Sequence, residues 1–287
     1  MSNTVTLKNK ELTVEISTLG AELRSVRDAR GCEYLWEGDP NVWAGRAPLV
    51  FPICGGLKHD RYTLNGQSYT LQKHGFARFE EFTLLRSSAT EAVFSLHENE
   101  GTLAAYPFRF VLMVAYVLDG RSVRVTYTVH NMGHDPMYFS IGGHEGFATP
   151  EGIENYDLYF DRRETLSALE LHGNLLSRTE VPVLDGRVLP LKEDYFQVDA
   201  LVFAELNSRA VTLSNRAGGR CVRVTFEGFD HLLLWQKPGA RYLCIEPWTG
   251  LPDFEDADGD ITHKDSITAL AGGESFSRTH TLAFGDR

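Results

Sequence analysis

One carboxylate near the C-terminal end of the sequence stands out because of its neighbours. Glu246 follows an apolar, strand-like run that ends at Ile245, and it directly precedes Pro247 and Trp248. Proline cannot donate a hydrogen bond within a central sheet, so we expect the strand to end here, with Glu246 at its end. A carboxylate that an indole shields from water can act as a general base, whereas the simpler alternative is a solvated strand-end residue.

Two histidines lie in glycine-rich segments of the kind found in loops at strand ends. His74 belongs to QKHGFAR, residues 72–78, and His144 belongs to SIGGHEGF, residues 140–147. Glycines allow the backbone to approach a ligand closely, and an imidazole can give or take a proton near neutral pH. A lone histidine is more often structural, but two in the same setting favour a functional site.

Two further charged side chains are candidates for binding a ligand. Arg46 stands at the head of an irregular segment, residues 45–56, whose prolines and glycines disfavour regular strand. Its guanidinium offers five donors suited to hydroxyls, carboxylates or phosphates, and a surface salt bridge is the alternative. Asp199 interrupts the apolar run 196–203 and needs a partner or a ligand there, unless it caps a turn.

The same residues allow two other chemistries. His74, His144 and Glu246 could form a facial metal triad, but the sequence has no HxH or HExxH spacing, so we expect no metal. A glycosidase would pair Glu246 with Asp199 or Asp253, which leaves the two histidines without a role.

Composition limits the partners of this protein. The 287 residues carry a net charge of −11, which argues against nucleic acid or an anionic membrane as the main partner. The N-terminus lacks the apolar run of a signal peptide, and no stretch is long enough to span a membrane, so we expect a cytoplasmic protein. The four cysteines have no CxxC pair, and we expect free thiols in a reducing compartment.

Alternation of apolar and polar residues with period two dominates the sequence and indicates strands. The longest runs cover residues 108–118 and 123–129, and Asp119-Gly120 between them predicts a hairpin. Shorter strand-like runs cover residues 12–17, 92–97, 156–160, 200–206, 210–214, 221–226, 231–236 and 279–284. Turns are expected at Asn65-Gly66, Asp185-Gly186 and Gly218-Gly219, and residues 166–194 are expected to form long connections.

No capped helix longer than about three turns and no βαβ rhythm can be recognised. Many short antiparallel strands predict an all-β fold, either a sandwich or a barrel. Without a linker or low-complexity segment, residues 1–287 are expected to form a single domain.

Taken in order, these motifs resemble the aldose 1-epimerase, or mutarotase, family, and in particular its LacX-like branch. The segments that carry the resemblance are TLGAEL (18–23), YLWEGDPNVWAGRAPLVFPICG (34–55), KHGFAR (73–78), YPF (106–108), SIGGHEGF (140–147), DALVF (199–203), CIEPWTG (244–250) and LAGGESF (270–276). The resemblance implies a large antiparallel β-sandwich that acts on a small-molecule sugar without metal or organic cofactor. We expect a monomer or homodimer.

The resemblance also implies roles for individual residues. Glu246 would be the general base that takes the proton of the anomeric hydroxyl, and His144 the general acid that protonates the ring oxygen. His74, Arg46 and Asp199 would hold sugar oxygens. The ring would open, its aldehyde end would rotate, and reclosure would give the other anomer.

Four tryptophans, Trp36, Trp43, Trp235 and Trp248, are candidates to stack on the sugar, although we expect most of them to lie in the core. Trp248 is the one that we expect to bind substrate. One position departs from the family pattern, since Glu145 stands where the family usually has proline after the acid histidine. We expect its charge to raise the pKa of His144.

Two rival functions remain open. A hexose-phosphate epimerase would use the same chemistry on an anionic sugar, and residues 46–78 are rich in lysine and arginine. No glycine-rich phosphate cradle accompanies them, so a free aldose is favoured. A non-catalytic sugar-binding protein would need Arg46 and the aromatic side chains, but not Glu246 paired with His144.

Overall fold

The computed structural model describes residues 3–286, which are mostly strand. The strands are β1 (Thr4–Lys8), β2 (Leu12–Ser17), β3 (Leu23–Asp28), β4 (Leu49–Val50), β5 (Arg61–Leu64), β6 (Gln67–Thr70), β7 (Thr83–Ser87), β8 (Glu91–His97), β9 (Phe110–Asp119), β10 (Ser122–Asn131), β11 (Met137–Phe139), β12 (Gly142–Gly143), β13 (Glu145–Ala148), β14 (Tyr156–His172), β15 (Leu175–Pro190), β16 (Leu201–Phe203), β17 (Ala210–Asn215), β18 (Arg220–Thr225), β19 (His231–Trp235), β20 (Tyr242–Trp248), β21 (Thr268–Leu270) and β22 (Ser275–Asp286).

Helical structure in the described residues is confined to short pieces. The α-helix α1 (Glu100–Ala105) begins at Asn99, whose side chain accepts a hydrogen bond from the Thr102 N–H in a capping box. The single 3₁₀ turns are Lys58–Asp60, Ala77–Phe79, Ile153–Asn155, Glu193–Phe196 and Ile261–His263. No helix within residues 3–286 is long and apolar enough to cross a membrane.

Fifteen strands form one antiparallel sheet with the order β4-β12-β20-β19-β16-β14-β17-β18-β22-β10-β9-β8-β7. In addition, β13 pairs with β20, and β15 pairs with β14. Three small sheets, β1-β2-β3, β5-β6 and β11-β21, accompany it. The all-β prediction is confirmed.

The large sheet folds back on itself. Strand β22 is six places from β20 along the sheet, yet His280 of β22 contacts Glu145 of β13, which pairs with β20. Apolar side chains fill the space between the facing parts, among them Phe147, Ile245 and Leu282. Along β22, Leu282 and the other buried residues alternate with more exposed ones, whereas β20 is buried on both faces.

The sequence patterns predict the regular strands well. Strands β9 and β10 form the expected hairpin through Gly120, which has a positive φ of 53°. Asn65-Gly66 likewise turns β5 into β6, and Gly218-Gly219 lies between β17 and β18.

The prediction for residues 166–194 is wrong. Strands β14 and β15 run through this region as a long antiparallel pair, and Asp185-Gly186 lies inside β15 instead of forming a turn. The pair contains three register shifts, and much of β15 is exposed. Register shifts and exposure on both faces erase the period-two pattern by which a strand is recognised.

The predicted strand end at Glu246 is also wrong. Strand β20 continues through Pro247 to Trp248, and all seven of its residues are buried. Pro247 pairs with Leu232 of β19, so one neighbouring strand remains in register beside the proline.

Candidate functional site

His144, between β12 and β13, faces Glu246 of β20. The cross-strand pairs on either side of them share one register: Gly142 with Trp248, and Glu145 with Ile245. Two residues separate these pairs on each strand, so His144 stands directly opposite Glu246. The Nε2 atom of His144 lies 3.4 Å from Oε2 of Glu246, and both side chains are almost fully buried.

Two glycines before His144 make room for the side chains around the pair. A Cβ at Gly142 would lie 2.3 Å from Cδ1 of Trp248, and one at Gly143 would lie 2.5 Å from the carboxylate oxygens of Glu145. Larger residues would therefore collide with both neighbours. The Trp248 indole also donates a 3.0 Å hydrogen bond to the Gly143 carbonyl, which fixes its orientation.

A cavity of about 450 Å³ lies over this pair, on the face of β20 that points away from the main core. This volume is within the ~300–1,000 Å³ range of small-molecule sites. Its polar and aromatic lining comprises Trp43, Lys73, His74, Arg78, His144, Asn174, Phe196, Gln197, Asp199, Trp235, Lys237, Glu246 and Trp248. The structure thus brings together five of the six residues singled out in the sequence.

His74 reaches the cavity from a tight loop. It has a positive φ of 68°, and its Nδ1 accepts a 3.2 Å hydrogen bond from the Gly55 N–H. Burial, with nearby His144 and two cations, holds its pKa well below the ordinary value, so the ring is neutral. Because Nδ1 is an acceptor, the proton resides on Nε2, which is therefore a donor.

The rim of the cavity is charged. Asp199 Oδ2 lies 3.8 Å from the Lys73 ammonium, and the other Asp199 oxygen accepts the Ala200 N–H at 2.9 Å. Arg78 donates from Nη2 to the Lys73 carbonyl at 3.0 Å. Its Nε atom is buried and has no hydrogen-bond partner within residues 3–286.

Arg46 is not among the described residues that line the cavity. Its Nη1 donates to the Arg24 carbonyl at 2.6 Å, and its side chain packs against Gly38, where a Cβ would lie 2.7 Å from Nε. Its position gives no support to a role in sugar binding. The arginine that lines the cavity is instead Arg78, the last residue of KHGFAR.

Aromatic rings shield His144 and Glu246 from water. Trp43 stacks on His144 with centroids 5.1 Å apart, and Trp235 meets the same imidazole edge-on at 5.7 Å. His74 and Trp248 complete the ring of aromatic contacts, with centroids 5.4 Å apart. The local dielectric around the pair is therefore low, which strengthens electrostatic interactions there.

Burial moves the two pKa values of the pair in opposite directions. It lowers the pKa of His144 to about 3 and raises the pKa of the Glu246 carboxyl well above its usual range. The Lys73 ammonium partly offsets the shift of Glu246, whereas Asp199 adds to it. Burial therefore favours the uncharged form of each group.

The expectation for Glu145 is wrong. Its side chain points to the opposite face of the strand from His144, where Oε1 lies 2.8 Å from Nε2 of His280. The pKa of His144 is lowered instead of raised, and burial is the cause. Neighbouring residues on a strand project to opposite faces, so adjacency in sequence did not bring the charge to the imidazole.

The residues that could hold a metal differ from the triad considered in the sequence. Among the described residues, one ligand atom each from His144, Cys244 and Glu246 lies within 4.8 Å of the others, and His74 is not part of this group. Cys244 was not recognised from the sequence as a possible metal ligand. Its signal was its spacing of two residues from Glu246, which places both side chains on one strand face.

The antiparallel β-fold, with the buried His144–Glu246 pair at the floor of a cavity, is that of a mutarotase-like protein. The sequence model of the aldose 1-epimerase family matches residues 3–280 of this chain. This chain belongs to that family.

Individual relatives agree with this assignment. Protein LacX of Lactococcus lactis subsp. lactis, in both its plasmid and its chromosomal form, is 36% identical over 282 residues, which cover 93% of this chain and 94% of the relative. The predicted resemblance to the LacX-like branch is therefore confirmed.

Solved structures share the fold closely. A galactose mutarotase related enzyme from Lactobacillus acidophilus has a TM-score of 0.94 at 32% identity, covering 99% of this chain and 97% of that one. A galactose mutarotase-like protein from Lactobacillus casei also has a TM-score of 0.94, at 27% identity and with 99% and 100% covered. A galactose 1-epimerase from Lactobacillus acidophilus, at 16% identity and a TM-score of 0.74 over 99% and 95%, shares the fold.

Proposed function

We propose that this protein is an aldose 1-epimerase that interconverts the α and β anomers of a hexose. The observation that carries the proposal is the His144–Glu246 pair, 3.4 Å apart at the floor of a cavity. Nδ1 of His144 and Oε2 of Glu246 have no hydrogen-bond partner among the described residues. A buried pair with unused hydrogen-bonding capacity is suited to a ligand that supplies the missing donors and acceptors.

Mutarotation needs one group that takes a proton and another that gives one, at two atoms of the same ring. In this mechanism the pair shares one proton, and burial, which favours the uncharged form of each group, favours Glu246 as its carrier before the sugar binds. Sugar hydroxyls that donate to Glu246 favour its carboxylate, so that the proton moves to His144 on binding. The site then contains a carboxylate base beside an imidazolium acid.

Ring opening and closure use the same two groups in turn. Glu246 takes the proton of the anomeric hydroxyl while His144 protonates the ring oxygen, and the C1–O5 bond breaks to leave an aldehyde and a hydroxyl. Rotation about the C1–C2 bond presents the other face of the aldehyde. Reclosure then returns each proton to the group that supplied it, and no covalent intermediate with the protein is required.

The other side chains of the cavity are suited to hold the sugar during this rotation. His74 presents a neutral Nε2–H donor, Asp199 an acceptor beside the Lys73 ammonium, and Trp248 an aromatic surface. Arg78 adds a guanidinium whose Nε is without a partner among residues 3–286. A hexose has hydroxyls for all of these groups and an apolar face for the indole.

Polarimetry tests the proposal. Freshly dissolved α-glucose and α-galactose should relax to their anomeric equilibria faster with the protein than in buffer, at a rate proportional to protein concentration. A methyl glycoside, which cannot open, serves as the control for glycosidase activity. Failure to accelerate any of a panel of aldoses would refute the proposal, and hydrolysis of the glycoside would replace it.

A hexose phosphate is the second candidate substrate, because the cavity lining includes the cations Lys73, Arg78 and Lys237 against the anionic Asp199. Other members of the basic segment 46–78 lie elsewhere. The Lys58 ammonium, for example, donates to the carbonyls of Glu255 and Ala257. With Lys73 already beside Asp199, we favour the free aldose.

The two substrates can be separated by salt. We expect glucose and galactose to relax at least as fast as their 6-phosphates at equal concentration, with little dependence on ionic strength. A strong preference for the phosphates that fades with added salt would reverse the assignment, since salt screens the attraction between a phosphate and the cationic rim.

A further inference from the structure

A thiol lies beside the proposed acid–base pair. Cys244 precedes Glu246 by two residues on β20, so the two side chains share one face of the strand. The thiol is fully buried, next to Trp36 and Tyr242 and close to the tryptophans that shield His144. The proton transfers proposed above use His144 and Glu246 and leave Cys244 without a task.

The three side chains bring a nitrogen, a sulfur and an oxygen ligand together within 4.8 Å. Zinc binds such ligands at about 2.0–2.3 Å in a tetrahedron, whose ligand atoms then stand roughly 3.3–3.8 Å apart. The Nε2 of His144 and the Oε2 of Glu246 already stand 3.4 Å apart. The thiol sulfur lies no more than 4.8 Å from a ligand atom of each of the other two residues, so a small shift of the thiol would bring the three atoms to tetrahedral separations.

Two buried polar atoms of this site also lack hydrogen-bond partners among the described residues. Nδ1 of His144 and Oε2 of Glu246 are buried and have no hydrogen-bond partner within residues 3–286. His144 is 7% exposed and Glu246 2% exposed, and both line the cavity. A fourth ligand, such as water, could therefore approach an ion at this place from the cavity.

We propose that His144, Cys244 and Glu246 form a binding site for Zn²⁺, and that zinc bound there inhibits the enzyme. The inhibitory half of this inference rests on the proposed epimerase function, whereas the metal site does not. Thiolate and imidazole ligands favour zinc over the hard ions Mg²⁺ and Ca²⁺, which prefer oxygen ligands.

Charge and proton balance fit the proposal. Zinc forms bonds to the His144 nitrogen, the Cys244 sulfur and a Glu246 oxygen, while the S–H bond of the thiol and the O–H bond of the carboxyl break and two protons pass to the solvent. The thiolate and the carboxylate formed neutralise the double positive charge of the ion, so the buried complex has no net charge. Bound zinc occupies the atoms that must exchange protons with the sugar, so inhibition should be competitive.

Cobalt is the probe for the site, because Co²⁺ takes zinc sites and reports its ligands by absorption. Titration of the whole, metal-free protein with Co²⁺ should produce a thiolate-to-cobalt charge-transfer band in the near ultraviolet, and added Zn²⁺ should abolish it. The variants Cys244→Ser and Cys244→Ala should lose this band. Cys32→Ser, which changes a partly buried thiol on another strand connection, is the matched control and should retain it.

Inhibition is measured on the same proteins. Zinc should slow anomer relaxation of wild type and of Cys32→Ser, and EDTA should restore the full rate. Cys244→Ser and Cys244→Ala should keep the metal-free rate and need at least about tenfold more zinc for the same inhibition, the lower end of the loss seen when even a supporting group of a metal site is removed.

The outcomes separate this inference from the proposed function. A protein without epimerase activity that still shows the Cys244-dependent cobalt band has the metal site and another function. Absence of the thiolate band in wild type, an unchanged band in both Cys244 variants, or equal zinc inhibition of wild type and variants would overturn the inference. The wild-type spectrum decides alone if neither variant folds.

Discussion

Two histidine–carboxylate pairs of this protein begin at the consecutive residues His144 and Glu145, point to opposite faces of the sheet and differ in what they can reach. His144 and Glu246 lie 3.4 Å apart and line the cavity, whereas the next residue, Glu145, lies 2.8 Å from His280 within the folded sheet. Both pairs are buried and consist of the same chemical groups. Access to the cavity, and not the identity of the groups, marks the first pair as a candidate for catalysis.

The nitrogen–oxygen distances within the two pairs also differ. The Glu145–His280 contact has the length of a direct hydrogen bond and links two strands that are far apart along the sheet. The His144–Glu246 contact is longer, so atoms of a substrate can compete for the same groups. Each pair leaves one imidazole nitrogen and one carboxylate oxygen without a hydrogen-bond partner among the described residues, but only the first pair lines the cavity, where a substrate can reach these atoms.

The sharpest test of the comparison is Glu246→Gln, for which we expect the largest effect. The amide is nearly isosteric but cannot take the proton of the anomeric hydroxyl, so the rate of anomer relaxation should fall at least about a hundredfold. The measurement is polarimetry at saturating sugar, with circular dichroism to verify the fold.

The matched control for this variant is Glu255→Gln. Glu255 also contacts a histidine, His172, at 3.0 Å, but both side chains are about half exposed. This variant should keep the wild-type rate. A folded Glu246→Gln protein with near-normal epimerisation would remove Glu246 from the mechanism.

The pH profile of kcat/KM tests the proton count of the cavity pair. Activity requires that the pair hold one proton. At acid pH, activity should therefore fall only when the pair takes up a second proton, on His144. Because burial lowers the pKa of His144 to about 3, the acid limb should lie well below the ordinary histidine value of about 6.5. At alkaline pH, activity should fall above the raised pKa of Glu246. An acid limb near pH 6.5 would show that the imidazole titrates as if in water.

Arg78→Ala and Arg46→Ala distinguish the arginine of the cavity from the one outside it. Only Arg78 lines the cavity, so its loss should raise KM by roughly tenfold, about the value of one hydrogen bond to a charged group, with a smaller effect on kcat. Arg46→Ala should leave KM unchanged. Steady-state kinetics with galactose measures both, and the reverse pattern would restore the role expected for Arg46 from the sequence.

The smallest effect on activity is expected for Glu145→Gln, which changes the pair inside the folded sheet. The amide can still bond to His280 but carries no charge, so the free energy of unfolding should fall by about 1–3 kcal/mol. The rate of epimerisation per folded molecule should stay within about twofold of wild type, because Glu145 faces away from the cavity. Urea unfolding and polarimetry on the same preparation decide this. A large loss of turnover without loss of stability would make Glu145 a positioning residue for His144.

Local features of the sequence determined the strands, the tight turns and the resemblance to the family. Alternation marked β9 and β10, and Asp119-Gly120 marked their hairpin, because these signals depend only on neighbours in the chain. The chemistry of Glu246, His144 and His74 was also recognisable locally, from side-chain types and glycine-rich flanks. The long pairing of β14 with β15 was not predicted, because register shifts and exposure interrupt the alternation of apolar and polar residues there.

Only the tertiary structure decided which of the candidates share a cavity. Strand pairing between β12–β13 and β20 set His144 opposite Glu246, and no sequence spacing encodes that register. The same pairing, with the fold of the sheet, sent Glu145 to His280 and added Cys244 to the site. Arg46 and Arg78 carry the same charge in two loops of one segment, and loop packing alone placed Arg78 inside the cavity and Arg46 outside it. The physical reason is that strand register and loop packing depend on contacts between residues distant in the chain.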